Sequence, residues 1–129
     1  MHLSRASGVW RWPAAAALSA TAAIHMTLVP EHLREAPYAG ALSMALSIVA
    51  LAAAILLSAT DHELVWLAAG AISLGALVAY FLSRSVGSLR CRTTSGGANP
   101  LGLAAVACEA LTVACWIARS AGLRSASPA

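Results

Sequence analysis

Residues 38–59, YAGALSMALSIVALAAAILLSA, lie within the longest stretch of the chain without a charged side chain, and the polar turn Thr60-Asp61-His62-Glu63 follows directly. About 20 apolar residues, rising about 1.5 Å each in an α-helix, are needed to cross the hydrocarbon core of a bilayer. Residues 38–59 therefore predict a membrane-spanning helix. The short turn predicts that the next apolar segment, residues 64–82, returns antiparallel beside it.

The rest of the chain supplies two further apolar segments, one on each side of this predicted hairpin. The first follows Trp10 and Trp12, a residue type that collects at membrane interfaces, and begins at Pro13, which suits the first turn of a helix. Four such segments predict an all-α integral membrane protein that forms an up-down-up-down four-helix bundle. The predicted spans are residues 13–29, 38–59, 64–82 and 101–118.

The four spans and the polar segments that connect them are predicted to form a single transmembrane domain over residues 1–120. Residues 83–100 predict a loop between the third and fourth spans, and residues 121–129, which lack any periodic pattern, predict a disordered tail. An alternative interpretation makes the first segment a signal peptide cleaved near residues 20–22. The apolar run continues past that site to residue 29, which favours a span.

The composition excludes an ordinary soluble domain. The chain is 60% hydrophobic and 10% charged, with a mean hydropathy of +0.77, whereas soluble domains carry about 25% charged residues. The net charge of +3 comes from a scarcity of acids, so it indicates no nucleic-acid partner. Cys91, Cys108 and Cys115 lack C-x-x-C spacing and predict neither a disulfide framework nor a zinc knuckle. We expect the lipid bilayer of the cell membrane to be the main partner.

Two further features concern orientation and packing. Arginines are divided four against four between the two predicted membrane faces, and only the basic flank of the first span favours cytoplasmic termini. Helices in lipid pack through small side chains, and small residues repeat here every four positions. The predicted packing stripes are Ala15, Ser19 and Ala23 in the first span, Ser43 and Ser47 in the second, Ala71, Gly75 and Ala79 in the third, and Ala110, Ala114 and Ala118 in the fourth.

Two ionisable residues lie inside predicted spans, where a charge costs about 2.5 to 3.5 kcal/mol at the helix centre. Glu109 lies in the middle of the fourth span, about 12 Å below one membrane face, and His25 lies about 6 Å below the same face. This predicts a direct or water-bridged contact. With Arg84 from that face, they form a predicted buried polar network. It would serve either as a clamp between the first and fourth helices or as a proton or ligand site.

The same face carries candidate metal ligands. His25, Glu31, His32 and Glu109 are ligand types that suit zinc, copper or iron. A straight helix would separate His25 and His32 by about 10.5 Å along its axis, but Pro30 predicts a break that could fold Glu31 or His32 back. The alternatives are a core imidazole bonded to Glu109 or to a carbonyl for His25, and a solvated helix cap for Glu31 and His32.

Residues 24–35, IHMTLVPEHLRE, carry the pattern H-x4-P-E-H-L-x-E and resemble the first-helix signature of small four-helix membrane proteins common in actinobacteria. Residues 83–87, SRSVG, and 100–104, PLGLA, are similar to later blocks of that family. The resemblance implies a four-helix fold and no assigned activity. Asn99 and Ala105 stand where the family pattern leads us to expect acidic residues, which implies a weakened or altered site.

Two functions from different classes fit these observations. The first is a non-enzymatic accessory or structural subunit that docks with other membrane subunits or with itself. The second is a metal- or cofactor-handling protein that uses the His/Glu cluster. A transporter fits less well, because four helices form a narrow bundle. The chain lacks the G-x-S-x-G, P-loop, H-E-x-x-H and Rossmann patterns, which argues against a conventional enzyme without excluding one.

Overall fold

The computed structural model describes residues 3–90 and 99–125, with side chains placed for residues 8–85 and 99–125. The secondary structure of these residues is α-helical and confirms the predicted all-α fold. Each helix contains a segment long and apolar enough to cross a membrane, which is compatible with a multi-pass membrane protein. The helices are α1 (Leu3–Glu35), α2 (Pro37–Ala59), α3 (Glu63–Arg90) and α4 (Pro100–Ser125).

The four helices form a bundle in which each packs against two neighbours. α1 makes the most extensive contacts, first with α2 and then with α4, while α3 packs on α4 and more lightly on α2. Short connections make consecutive helices antiparallel, since only Ala36 separates α1 from α2. The core between them consists mainly of alanines, with Leu18, Leu57 and Trp66 as its large, fully buried members.

The predicted helix break at Pro30 is wrong, because α1 continues through this residue to Glu35. Proline cannot donate a backbone hydrogen bond, but membrane helices tolerate it where surrounding groups satisfy the freed backbone. The break falls at Ala36, whose φ of −156° and ψ of 113° are extended. This conformation is favoured in the residue before a proline, here Pro37, which then begins α2.

The third and fourth helices are also longer than predicted. α3 continues beyond residue 82 to Arg90, so residues 83–90 are helical and do not belong to a loop. α4 continues to Ser125, so residues 121–125 of the predicted disordered tail are helical as well. The remaining parts of these two predictions, residues 91–98 with Cys91 and residues 126–129, lie outside the described residues.

The predicted packing stripes hold for α2 and fail for α3 and α4. Ser43 and Ser47 are buried, but the stripe of Ala71, Gly75 and Ala79 is exposed along its whole length. In α4, Ala110 and Ala114 are exposed and Ala118 is half-buried; in α1, Ala15 is buried while Ser19 and Ala23 are exposed. The buried side of α4 is formed instead by Ala105, Glu109, Thr112, Cys115 and Arg119. Small size alone therefore did not identify the inward faces.

The close approach of α3 to α4 depends on Gly70. A Cβ atom added to Gly70 would lie 2.6 Å from the ring of Trp116, whereas one added to Gly75 of the same helix would meet nothing within 4 Å. Overpacking of this kind costs about 1–3 kcal/mol. We expect Gly70→Ala to lower the melting temperature of the protein in detergent, which circular dichroism measures.

The matched control for this prediction is Gly75→Ala. Alanine is favoured over glycine inside a helix by about 0.5–1 kcal/mol, so this variant should melt at or slightly above the wild-type temperature. Equal melting of the two variants would contradict the proposed contact between Gly70 and Trp116.

Candidate functional site

His25 and Glu109 face each other across the interface between α1 and α4. His25 lies ten residues before the end of α1 and Glu109 lies nine residues after the start of α4. These ends share one side of the bundle, so the two residues lie about 15 Å and about 14 Å along their helices from it. The Nε2 atom of His25 is 3.1 Å from the Oε1 atom of Glu109. The predicted contact is therefore present, and it is direct.

This pair is enclosed by the bundle. The side chain of Glu109 is 2% exposed and that of His25 is 16% exposed. Ala105 and Thr112 are buried on the same face of α4, as their spacing from Glu109 predicts. A carboxylate is costly to bury without a hydrogen-bond donor, and the imidazole supplies one when Nε2 carries a proton. The contact thus provides a polar link between α1 and α4 within the spans.

A second polar cluster, formed by Asp61, Trp66 and Arg119, lies on the opposite side of the bundle. Arg119 donates from Nε to the Oδ1 atom of Asp61 at 3.1 Å and from Nη2 to the Asp61 carbonyl oxygen at 3.0 Å. Trp66 donates from Nε1 to the same Oδ1 atom at 2.6 Å. The guanidinium of Arg119 also lies 5.2 Å from the centre of the Trp66 ring, within cation–π range. These contacts join the end of α4 to the turn between α2 and α3.

Sequence reasoning missed this Asp61 cluster. The sequence pattern places Asp61 in a turn, and Arg119 enters it only through the arginine count of the two membrane faces. One signal was available: Arg119 lies ten residues after Glu109 and four after Cys115, on the face of α4 that is buried. An arginine that continues a buried face needs an acceptor, and the α2–α3 turn supplies the nearest acids on that side.

The other predicted metal ligands are not brought to the His25–Glu109 pair. His32 places its Nδ1 atom 2.8 Å from the hydroxyl of Ser43 and so links the end of α1 to α2. Glu31 is exposed. Among the described residues, no group of three or more His, Cys, Asp or Glu side chains is close enough to hold a metal ion. A metal site made of His25, Glu31, His32 and Glu109 remains a prediction.

Arg84, predicted as the third member of the buried network, is exposed. Its guanidinium lies 5.3 Å from the centre of the Tyr80 ring on the same helix. This placement follows from α3 continuing as a helix to Arg90, which keeps Arg84 on an outward face. The buried pair consists of His25 and Glu109 without it.

A groove of about 270 Å³ lies between α1 and α2. The hydroxyls of Ser19 and Ser47 at its edge donate to backbone carbonyls of their own helices, those of Ala15 and Ser43. The groove therefore offers a nearly pure hydrocarbon lining at the depth of the spans. Its lining residues are Ser19, Ala22, Ala23, Met26, Ser47, Ile48 and Leu51.

Comparisons of the chain with protein-family models, with curated proteins and with solved structures give no match. The resemblance to small actinobacterial membrane proteins thus stays a prediction, and the functional argument depends on the geometry of the bundle.

Proposed function

We propose that the chain is an accessory or structural subunit that docks in a larger membrane assembly through the outward faces of α3 and α4. The observation that carries this proposal is the direction of the small-residue stripes. Ala71, Gly75 and Ala79 on α3, and Ala110 and Ala114 on α4, are exposed. Association of helices in lipid depends on small residues that let two backbones come close, whereas contact with lipid tails has no such requirement.

The distribution of burial also favours the α3–α4 side of the bundle as the docking surface. In the most apolar windows of α1 and α2, 44% and 39% of residues are buried within the bundle, whereas the figure is 22% for both α3 and α4. The α3–α4 side thus has the most helix surface left for a neighbour. The partner surface would be a membrane-spanning helix of another subunit or of a second copy.

A substitution in the α3 stripe tests this proposal. We expect the tagged full chain, extracted from its natural membranes in mild detergent, to elute with a stoichiometric partner or as an oligomer. Gly75→Leu should abolish that association, because the leucine side chain would hold the partner backbone away. The fold of the subunit itself should persist, since nothing within the bundle lies within 4 Å of an added Cβ at this position.

The control is Leu74→Phe, which adds bulk at an exposed position of α3 outside the stripe. It should associate as the wild type does. Elution of the wild type as a single copy without partners, or equal association of Gly75→Leu and wild type, would contradict docking through this face. Ala114→Leu applies the same test to the α4 stripe.

A metal- or cofactor-handling role is the second candidate, and the contact between His25 and Glu109 is the observation that favours it. The pair supplies one nitrogen and one oxygen ligand of the kinds that transition metals bind. Metal analysis and visible absorption spectra of the same preparation test this role. A stoichiometric metal that is lost in His25→Ala would support it, and a metal content unaffected by that substitution would rule out this site.

A further inference from the structure

Two buried hydroxyl groups on the described helices differ from the others in having no hydrogen-bond partner. Most donate to the carbonyl oxygen four residues earlier in the same helix, as Ser47, Thr112 and Ser120 do. Thr21 in α1 and Ser73 in α3 are buried, and their hydroxyl oxygens have no hydrogen-bond partner among the described residues. A buried hydroxyl without a partner costs free energy, so each exception calls for an explanation.

Thr21 differs from Ser73 in having a second unpartnered polar atom close by. Residues four apart lie on one face of a helix, which places Thr21 one turn from His25. The Nδ1 atom of His25 is also buried without a partner among the described residues, while Nε2 is taken up by Glu109. Thr21 itself is 2% exposed. Two unsatisfied polar atoms therefore share the buried face of α1 that meets Glu109.

We propose that Thr21 and His25 hold a water molecule between the Thr21 hydroxyl and the His25 Nδ1 atom, inside the bundle and beside the contact between His25 and Glu109. A water molecule both donates and accepts hydrogen bonds, as the threonine hydroxyl does. Buried waters ordinarily satisfy polar groups that would otherwise lack partners. The site goes beyond the docking role, because it is a separate feature of the α1–α4 interface.

The hydrogen bonds of such a site are complementary. When Nε2 carries the ring hydrogen and donates to the Glu109 carboxylate, Nδ1 is the acceptor of the ring and takes a hydrogen bond from the water. The water in turn accepts from the Thr21 hydroxyl, so both unpartnered atoms gain a partner.

The test is nitrogen NMR of the full chain in phosphatidylcholine nanodiscs, with ¹⁵N in the histidine rings. Assignment of His25 uses the signals missing in His25→Gln. We expect magnetisation transfer from water protons to His25 Nδ1 in the wild type and in Thr21→Ser, which keeps the hydroxyl. Thr21→Val keeps the shape of the side chain but removes the hydroxyl, and should lose this transfer. Ser73→Ala, which removes the other unpartnered buried hydroxyl, should leave it unchanged.

Absence of the water transfer in the wild type, or its persistence in folded Thr21→Val, would overturn the water site. None of these readouts depends on docking.

Discussion

Glu109→Lys is expected to prevent assembly of the bundle. The substitution places an ammonium group against His25 at a position that is 2% exposed within a span. A hydrogen-bonded pair is thereby replaced by a buried charge that has no partner. Breaking a buried pair in this way costs about 3–5 kcal/mol. That is a large fraction of the 5–15 kcal/mol by which domains are ordinarily stable. The measurements are the yield of monodisperse protein in detergent and its melting by circular dichroism.

Two comparisons isolate the effect of charge and of position. Glu109→Gln keeps an oxygen that accepts a hydrogen bond from His25, so this variant should remain folded. Glu31→Lys makes the same change of charge at an exposed residue near the end of α1 and should behave as the wild type. Wild-type yield and melting for Glu109→Lys would mean that the pair does not hold α1 to α4.

The second large effect is expected on the opposite side of the bundle. Asp61→Ala removes the carboxylate that accepts from both Arg119 and Trp66, and leaves a guanidinium that is 7% exposed without that partner. The Asp61 side chain is itself 30% exposed, so solvent screening reduces the loss. We expect the free energy of unfolding to fall by about 2–3 kcal/mol. Thermal melting in detergent measures it.

Glu63→Ala is the matched control, because it removes another carboxylate two residues away, in the first turn of α3, where the side chain is exposed. Loss of a favourable charge at a helix start costs about 0.3–1 kcal/mol. The melting temperature of Asp61→Asn should lie between those of Asp61→Ala and Glu63→Ala, because the amide oxygen still accepts a hydrogen bond while the charge is lost. If Asp61→Ala and Glu63→Ala melt at the same temperature, the Asp61 cluster is not a stabilising contact.

The sequence predicted the number of spans and their antiparallel order because both depend on the length of apolar runs and of the turns between them. It also predicted the meeting of His25 and Glu109, since topology puts the end of the first helix and the start of the fourth on one side. Helix ends were less predictable: polar residues such as Arg84 continue a helix when nothing forces it to stop. Proline is different: Pro37 and Pro100 each begin a helix, and the residue before each of them is not helical.

Rotation of the helices about their axes was the least predictable feature. In apolar spans every face can contact lipid, so the small residues of α3 did not reveal that Gly70 faces inward and Gly75 outward. Polar side chains were better indicators. Ser43, Ser73 and Thr112, in three different helices, are all buried. A polar group in a span gains from facing the bundle; Ser19, which is exposed, instead donates to a carbonyl of its own helix.

The single residue between α1 and α2 has a consequence for how the protein is made. Ala36 is too short a connection to let the two helices move apart. Close to it, Gly40 of α2 lies directly against Leu33 of α1, so that even a Cβ at Gly40 would meet the Leu33 side chain. Two helices joined in this way cannot slide or turn independently. We expect them to enter the membrane as one hairpin, with the bond between His32 and Ser43 already aligned. The register of the first half would then be set during synthesis, before α4 delivers Glu109 to His25.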